Sequence, residues 1–228
     1  MQTPANETAG GSITILNFSQ RNDGINDRIC GALAKGLAEK NVGNRHIKAR
    51  ELNIGFCNNC RGCMKAPGNE LGTCSLNDDM QQLLATLLAS DCIIVSSPIN
   101  CYDLPSSLRI ILERMSVFCY WNDDMYSPKV RDTGRDIRGI LITTSAMPGI
   151  MVPIVTRARK TFRLFAKPLR MKKVSYYHIG FKGRKSDMAI SGNDTVLVRR
   201  IVNELAARYR LPAVPGGTTV EGKGMQTS

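Results

Sequence analysis

Four cysteines between residues 57 and 74 have a spacing that suits metal or redox chemistry. They follow the pattern Cys57-x2-Cys60-x2-Cys63-x10-Cys74. Three thiolates at two-residue spacing can wrap an iron–sulfur cluster, and a fourth completes its ligand set. The same set could bind zinc through four thiolates, or the cysteines could be free thiols. The spacing alone leaves these three alternatives open.

A second candidate site is the polar segment 19–26, which runs Ser-Gln-Arg-Asn-Asp-Gly-Ile-Asn. It offers hydroxyl, guanidinium and amide donors, and a glycine that permits close approach of the backbone, directly before a predicted helix. Free N–H groups and the helix dipole both favour an anion there, so the segment could hold a phosphate. It matches neither the Walker loop nor the G-x-G-x-x-G fingerprint, which disfavours a nucleoside triphosphate or a Rossmann dinucleotide.

The elements that position these residues alternate between apolar strands and stretches of helical period. Strands are predicted over 12–18, 46–54, 91–97, 138–145 and 173–181, and helices over about 25–40, 78–90, 104–118, 150–167 and 194–210. This alternation predicts an α/β fold, a doubly wound five-stranded parallel sheet with helices on both faces. We expect one domain over residues 12–210, with disordered tails at 1–11 and 211–228.

Composition and charge narrow the class of protein. The chain has 228 residues, 43% of them hydrophobic, which is typical of a globular domain. No apolar stretch approaches the ~20 residues of a membrane span, and the polar N-terminus does not resemble a signal peptide. A cytoplasmic location is therefore expected. The net charge of +12 is uneven, because residues 129–210 hold 19 Lys and Arg against 5 Asp and Glu. A basic half attracts anions: a phosphorylated cofactor, an acidic protein, a membrane surface or nucleic acid.

The loop after the third predicted strand carries a family resemblance. Segment 97–114 resembles the flavin loop and following helix of the flavodoxin-like NADPH-dependent FMN reductases, whose pattern is Pro-Ile/Val-Tyr, a polar turn, Leu-Lys, an apolar triplet and Asp-Arg. The residues in register are Pro98, Ile99, Leu108, Arg109, Glu113 and Arg114, and Asn100 stands where the usual Tyr would be. The resemblance spans residues 12–205 and implies a flavodoxin-like fold.

Two further loops resemble the same family. Ser19 and Arg21 match its Ser-x-Arg-x-x-Ser-x-Thr phosphate motif, in which Gly24 and Asn26 replace Ser and Thr. The segment 143–146 resembles the Thr-rich turn that meets the pyrimidine edge of the flavin. The resemblance therefore implies an FMN site made of Ser19, Arg21, Gly24, Asn26, Pro98, Ile99, Asn100, Cys101, Tyr102, Thr143, Thr144 and Ser145.

The resemblance implies an oxidoreductase that uses FMN and takes NAD(P)H as co-substrate. Hydride would pass from the nicotinamide to FMN and on to a quinone, a nitro or azo compound, or free flavin, with no catalytic side chain required. The cysteine segment resembles the iron–sulfur flavoprotein branch of the superfamily. That branch implies the alternative of a [4Fe–4S] flavoprotein that carries electrons between redox protein partners.

The expected partners follow from these two interpretations. They are a small-molecule electron acceptor or a redox protein, and a second copy of the chain in a homo-oligomer. A third hypothesis, a nucleic-acid-binding module that uses the basic half, is disfavoured because no nucleic-acid motif accompanies the charge.

Overall fold

Five parallel strands form the central sheet of the structure, a computed structural model that describes residues 12–182 and 189–209. In chain order the strands are β1 (Ile13–Asn17), β2 (Asn44–Lys48), β3 (Cys92–Pro98), β4 (Cys119–Tyr120), β5 (Lys129–Val130), β6 (Arg138–Thr144) and β7 (Lys173–Ile179). The sheet has the order β2-β1-β3-β6-β7, and every neighbouring pair in it is parallel. β4 and β5 form a separate antiparallel hairpin.

Helices cover both faces of this sheet. They are α1 (Ile25–Glu39), α2 (Met80–Ala89), α3 (Ser106–Arg114), α4 (Val152–Val155), α5 (Ala158–Ala166) and α6 (Gly192–Tyr209). On one face, α1 and α6 pack over a core that includes Ile15, Leu33 and Ile201. On the other, α2, α3 and α5 pack over Val95 and Phe162. The predicted flavodoxin-like fold class is confirmed.

β3 lies in the middle of the sheet because its sequence is apolar on both faces. Its residues from Cys92 to Ser97 are all buried, as expected for a parallel strand that helices cover on both sides. Since β1 and β6 flank it, the loops after these three strands meet at one edge of the sheet. Ligands of doubly wound sheets bind at this edge.

The prediction of one helix over 150–167 is wrong. The structure has two helices, α4 and α5, separated by Thr156 and Arg157. Thr156 is extended, with φ −118° and ψ 155°. The backbone N–H of Arg157 donates to the carbonyl of Tyr102 at 2.8 Å instead of continuing the helix. A tertiary hydrogen bond therefore interrupts the helical period.

Other boundaries also differ from the predicted ones, mainly where a short 3-10 turn takes over from a strand or a helix. The second strand lies over Asn44–Lys48 and not 46–54, because the chain turns into a short 3-10 helix at Ala49–Glu51. The third helix ends at Arg114, and a 3-10 turn over Met115–Phe118 follows it. The β4–β5 hairpin lies in a segment where the sequence predicts no strand.

The predicted domain limits stay a prediction, since residues 1–11 and 211–228 lie outside the described residues. All described helices and strands belong to the layers around the one central sheet or to the short hairpin. Within the described ranges, none of the helices has the length and apolar character needed to cross a bilayer.

Candidate active site

A cavity of about 390 Å³ opens at the carboxyl ends of β1, β3 and β6. It brings together most of the predicted site residues from all three loops: Ser19, Arg21, Gly24, Asn26, Pro98, Ile99, Asn100, Thr144 and Ser145. Gln20, Ile25, Ala146 and Lys182 also line it. The predicted residues Cys101, Tyr102 and Thr143 do not line this cavity.

The loop between β1 and α1 forms the anion-binding side of the cavity. Gly24 is the residue that precedes the first turn of α1, and no side chain caps that turn. The first N–H groups of a helix lack partners within it, so they are available to an anion. The buried Ser19 hydroxyl accepts from the N–H of Arg21 at 3.2 Å, which holds the loop in place. A Cβ at Gly24 would lie 3.3 Å from the Cβ of Arg21, so glycine keeps this loop tight.

An ion pair that the sequence did not predict supports this loop from below. The guanidinium of Arg50 donates to both carboxylate oxygens of Asp27, at 2.9 and 2.8 Å, and to the carbonyl of Ser19 at 3.0 Å. The Asp27 carboxylate also accepts from the side chain of Asn17. Burial raises the pKa of Asp27, but the hydrogen bonds and charge of Arg50 outweigh it, and the pKa lies below its ordinary value.

Asn26 links three elements at the floor of the cavity. Its Nδ2 donates to Thr144 Oγ1 at 3.0 Å, and its Oδ1 accepts from the hydroxyl of Ser96 at 3.0 Å. All three residues are buried. Buried polar groups require partners, and these three satisfy one another. The side chain of Asn26 therefore ties α1 to β3 and β6, beside the wall where the sequence predicted a phosphate contact.

Thr143 points away from the cavity because side chains alternate along a strand. Thr144 faces the cavity, so Thr143 faces the opposite side of the sheet, where its hydroxyl lies 2.9 Å from His178 Nδ1. Burial lowers the pKa of His178. The pair is part of the packing between β6 and β7.

Cys101 and Tyr102 occupy the two central positions of a tight turn at the cavity rim. Asn100 and Asp103 exchange two backbone hydrogen bonds, each of 2.9 Å, around them. Both central residues have left-handed backbones, with φ of 48° and 62°, as a type I′ turn requires. Non-glycine residues adopt this conformation at a cost, and such strain is often found at functional sites. The turn directs both side chains outward to solvent.

Lys182 lines the cavity but lies outside the three loops that the sequence predicts for the site. It is buried and pairs with Asp194 at 2.7 Å, next to the N-terminus of α6. Burial raises the pKa of Asp194, but the hydrogen bonds from Lys182 and Ser191 lower it by more. The pKa therefore lies below its ordinary value. The position could have been found, because Lys182 directly follows the predicted strand 173–181, at the edge where ligands bind.

The four cysteines line a second, smaller cavity at the end of α3. Cys57, Cys60, Cys63 and Cys74 share its wall with Arg114. Burial, and then the neighbouring Cys74 and Cys60, raise the pKa of the Cys63 thiol. A backbone hydrogen bond from Gly62 lowers the pKa of Cys60.

Two buried arginines hold this cysteine segment. The guanidinium of Arg114 pairs with Asp78 at 2.6 and 3.0 Å and donates to the carbonyl of Gly55 at 2.9 Å. Arg131, equally buried, donates to carbonyls of the segment, which are those of Cys63, Ala66 and Gly68. These contacts tie the cysteine segment to α3 and to the residue that follows β5.

A family model shows which class of protein this cavity belongs to. The model for NADPH-dependent FMN reductases matches residues 12–170, a span that includes all three loops of the cavity. The chain belongs to this family. The predicted enzyme class, an NAD(P)H-dependent FMN oxidoreductase, is confirmed with it.

Solved structures share the fold of this FMN reductase at low sequence identity. A NAD(P)H:quinone oxidoreductase from Methanothermobacter marburgensis is 13% identical with a TM-score of 0.62, and 86% of this chain covers 100% of that one. An FMN-dependent NADH-azoreductase from Bacillus anthracis str. Ames Ancestor is 10% identical with a TM-score of 0.62, again with 86% and 100% covered. A flavone reductase is 16% identical with a TM-score of 0.59, and the match covers 86% of this chain but only 62% of that one. No curated protein sequence matches the chain.

The residues of the main cavity fit FMN. Its volume lies in the range of small-molecule sites, and it is polar at the N-terminus of α1 and apolar at Ile25, Pro98 and Ile99. A phosphate and a flat ring need these two environments side by side.

The four cysteines of this FMN reductase fit a metal less well than the main cavity fits FMN. Among the residues that the structure describes, no three His, Cys, Asp or Glu side chains converge closely enough to hold a metal ion. The predicted [4Fe–4S] site at Cys57, Cys60, Cys63 and Cys74 stays a prediction, and no chemical step is derived from it.

Proposed function

We propose that this protein binds FMN in the cavity at the ends of β1, β3 and β6 and uses NAD(P)H to reduce a small-molecule acceptor. The acceptor class is a quinone, a nitro or azo compound, or free flavin. The observation that carries the proposal is the single cavity in which a helix N-terminus, three strand-end loops and an apolar wall meet. The names of the structural neighbours, a quinone oxidoreductase and an azoreductase, support this acceptor class.

The chain's own residues would bind and orient the cofactor. The hydroxyl of Ser19, the side chain of Arg21 and the free N–H groups after Gly24 would hold the phosphate. Pro98 and Ile99 would pack against the ring, and Thr144 and Ser145 would lie at its pyrimidine edge. Bound FMN supplies the hydride chemistry, so no catalytic acid or nucleophile is needed from the protein.

Replacement of Arg21 tests the phosphate assignment. Arg21 is exposed, and Arg21→Ala removes a charge-assisted contact worth about 1.5–3 kcal/mol. FMN affinity, measured by fluorescence titration of the apoprotein, is expected to fall roughly ten- to a hundred-fold. Lys35→Ala is the control, because Lys35 lies exposed on α1, the helix that follows this loop, and pairs only with Glu39. Equal FMN affinity in the two variants would contradict the assignment.

A second candidate, an iron–sulfur flavoprotein that carries electrons between proteins, is favoured by one observation. Cys57, Cys60, Cys63 and Cys74 line one cavity, although they are not gathered around a single point. If they hold a cluster, each cysteine supplies one ligand, so the four are needed together.

Iron and sulfide analysis of anaerobically purified protein separates the two candidates. The reductase proposal expects a yellow, iron-free protein in which each Cys→Ala variant removes one titratable thiol. The carrier candidate expects a brown protein that loses most of its iron when any one of the four is replaced. Cys119→Ala is the control, since Cys119 lies outside this cavity. Zinc would give a colourless metal at about one equivalent per chain.

We further propose that the protein works in the cytoplasm as a homo-oligomer. Large apolar side chains such as Phe56 and Tyr126 are exposed. Exposed aromatic side chains are common in protein interfaces. Sedimentation equilibrium of the FMN-loaded protein tests the oligomeric state.

A further inference from the structure

The basic character of the second half of the chain is concentrated on one surface of the structure. α5 buries Ala158, Phe162 and Phe165 against the sheet and turns its other side to solvent. That side and the residue before it form what we call the cationic face, which consists of Arg157, Arg159, Lys160, Arg163 and Lys167, all exposed. A helix that buries one stripe exposes the other, so the charges of α5 lie on its solvent side, and Arg157 directly precedes them.

No acidic residue neutralises this face along the chain. Residues 137–186 contain twelve Lys and Arg and no Asp or Glu. Asp136, just before this stretch, pairs with Arg170 and Lys172. Within residues 12–182 and 189–209, no ion pair includes any of the five cations of the cationic face. The five cations are therefore unpaired, and the Asp103 carboxylate, which accepts from Thr161 on α5 at 2.9 Å, is the acid that lies against this helix.

Large apolar side chains project beside the cationic face. Ile150 and Ile154 are 78% and 79% exposed, and Met151, Val155 and Leu164 are also exposed. Four of these five fall within residues 150–155, which include α4 and end two residues before Arg157. Single exposed apolar residues are normal, but a group of them marks an interaction site.

We propose that the cationic face and the exposed apolar residues of segment 150–155 dock this protein on a bilayer that contains anionic phospholipids. Cations would contact the headgroups, while Ile150 and Ile154 would enter the boundary between headgroups and acyl chains. Interfacial binding requires this combination of Lys and Arg with protruding apolar side chains.

Charge complementarity favours a lipid surface over a second copy of the chain. A two-fold dimer centred on the cationic face would set that face against itself. With no acid between residues 137 and 186, nothing there would offset the repulsion. An acidic protein would satisfy the charges. It would not by itself account for four exposed aliphatic residues in one short stretch.

The proposed docking surface lies close to the main cavity. Ala146 lines the main cavity and Ile150 follows four residues later, while the N–H of Arg157 bonds to Tyr102 at the cavity rim. Docking would bring the cavity near the bilayer, where lipid-soluble acceptors dissolve. This consequence rests on the proposed function, whereas the docking itself does not.

Co-sedimentation of the full-length protein with vesicles tests the proposal without any measurement of activity. We expect binding to vesicles of phosphatidylcholine mixed with phosphatidylglycerol, little binding to phosphatidylcholine alone, and weaker binding as salt is added. Lys160→Gln with Arg163→Gln is expected to weaken binding about 30-fold. Ile150→Ser with Ile154→Ser is expected to weaken it roughly tenfold or more.

The control carries the same change of charge on the opposite side of the sheet. Arg199 and Arg200 are exposed on α6, so Arg199→Gln with Arg200→Gln removes two charges without touching the cationic face. Binding should be close to that of the unchanged protein. Equal losses in the two charge variants, unchanged binding in the Ile150/Ile154 variant, or no binding to anionic vesicles would each overturn the proposal. Binding to immobilised polyglutamate but not to anionic vesicles would also overturn it, in favour of an acidic protein. A dimer that the same variants dissociate would overturn it in favour of a second copy.

Discussion

An Arg114→Ala variant is expected to lose about 3–5 kcal/mol of unfolding free energy. Arg114 is almost fully buried, and it pairs with Asp78 through two hydrogen bonds. Removal of one partner leaves a desolvated charge without compensation, which costs more than the pair contributes. Urea denaturation of the protein measures the loss. Arg109→Ala is the control, because Arg109 lies on the same helix but is exposed and pairs only with Glu113 at 3.6 Å.

The pair of Arg114 and Asp78 also makes the unfolding free energy depend on pH. The hydrogen bonds from Arg114 hold the pKa of Asp78 below its ordinary value, although burial acts in the opposite direction. A depressed pKa contributes stability that is complete above the unfolded pKa of about 3.9 and is lost as the pH falls through the folded pKa. The loss begins near the unfolded pKa. The Asp78→Asn variant should therefore lose less stability than the parent protein as the pH falls from about 5 to about 3, a range that includes this pKa. An identical acid dependence in both proteins would contradict the role of Asp78.

An Arg50→Ala variant is expected to weaken both the fold and FMN binding, although Arg50 does not line the cavity. We expect a loss of about 3 kcal/mol in unfolding free energy and roughly tenfold or more in FMN affinity. The substitution leaves the Asp27 carboxylate unpaired beneath the loop that would hold the phosphate, and it removes the bond to the Ser19 carbonyl. A negative charge there repels the phosphate.

A second substitution separates charge from packing in this prediction. The double variant Asp27→Asn, Arg50→Ala removes the unpaired carboxylate and should recover part of both losses. FMN affinity equal to that of the parent protein in the single variant would show that the loop does not depend on the pair. No recovery in the double variant would assign the effect to lost packing.

The sequence was sufficient to predict the sheet and the edge at which the site lies. Ser19, Pro98 and Thr144 come from loops far apart in the chain, yet all three line one cavity. This follows because carboxyl ends of parallel strands meet at the same edge, and strand positions could be predicted from apolar runs.

Contacts between residues far apart in the chain could not be predicted from the pattern of apolar runs. Nothing near Arg50 or Arg131 in the sequence shows that the first supports the phosphate loop and the second holds the cysteine segment. Thr143 and Thr144 are adjacent and chemically identical, and only the pleat of β6 decides which faces the cavity. The break at Arg157 depends on a hydrogen bond to Tyr102, 55 residues earlier in the chain. These details are set by tertiary structure, which local patterns do not encode.

The most direct test of the account is an anaerobic titration of the FMN-loaded protein with NADPH, followed by visible absorbance. We predict that the protein binds FMN and that its yellow colour is lost with about one equivalent of NADPH, since one hydride carries both electrons. An added quinone should then restore the colour. A protein that does not retain FMN, or a bound flavin that stays oxidised under excess NADPH and NADH, would contradict the account.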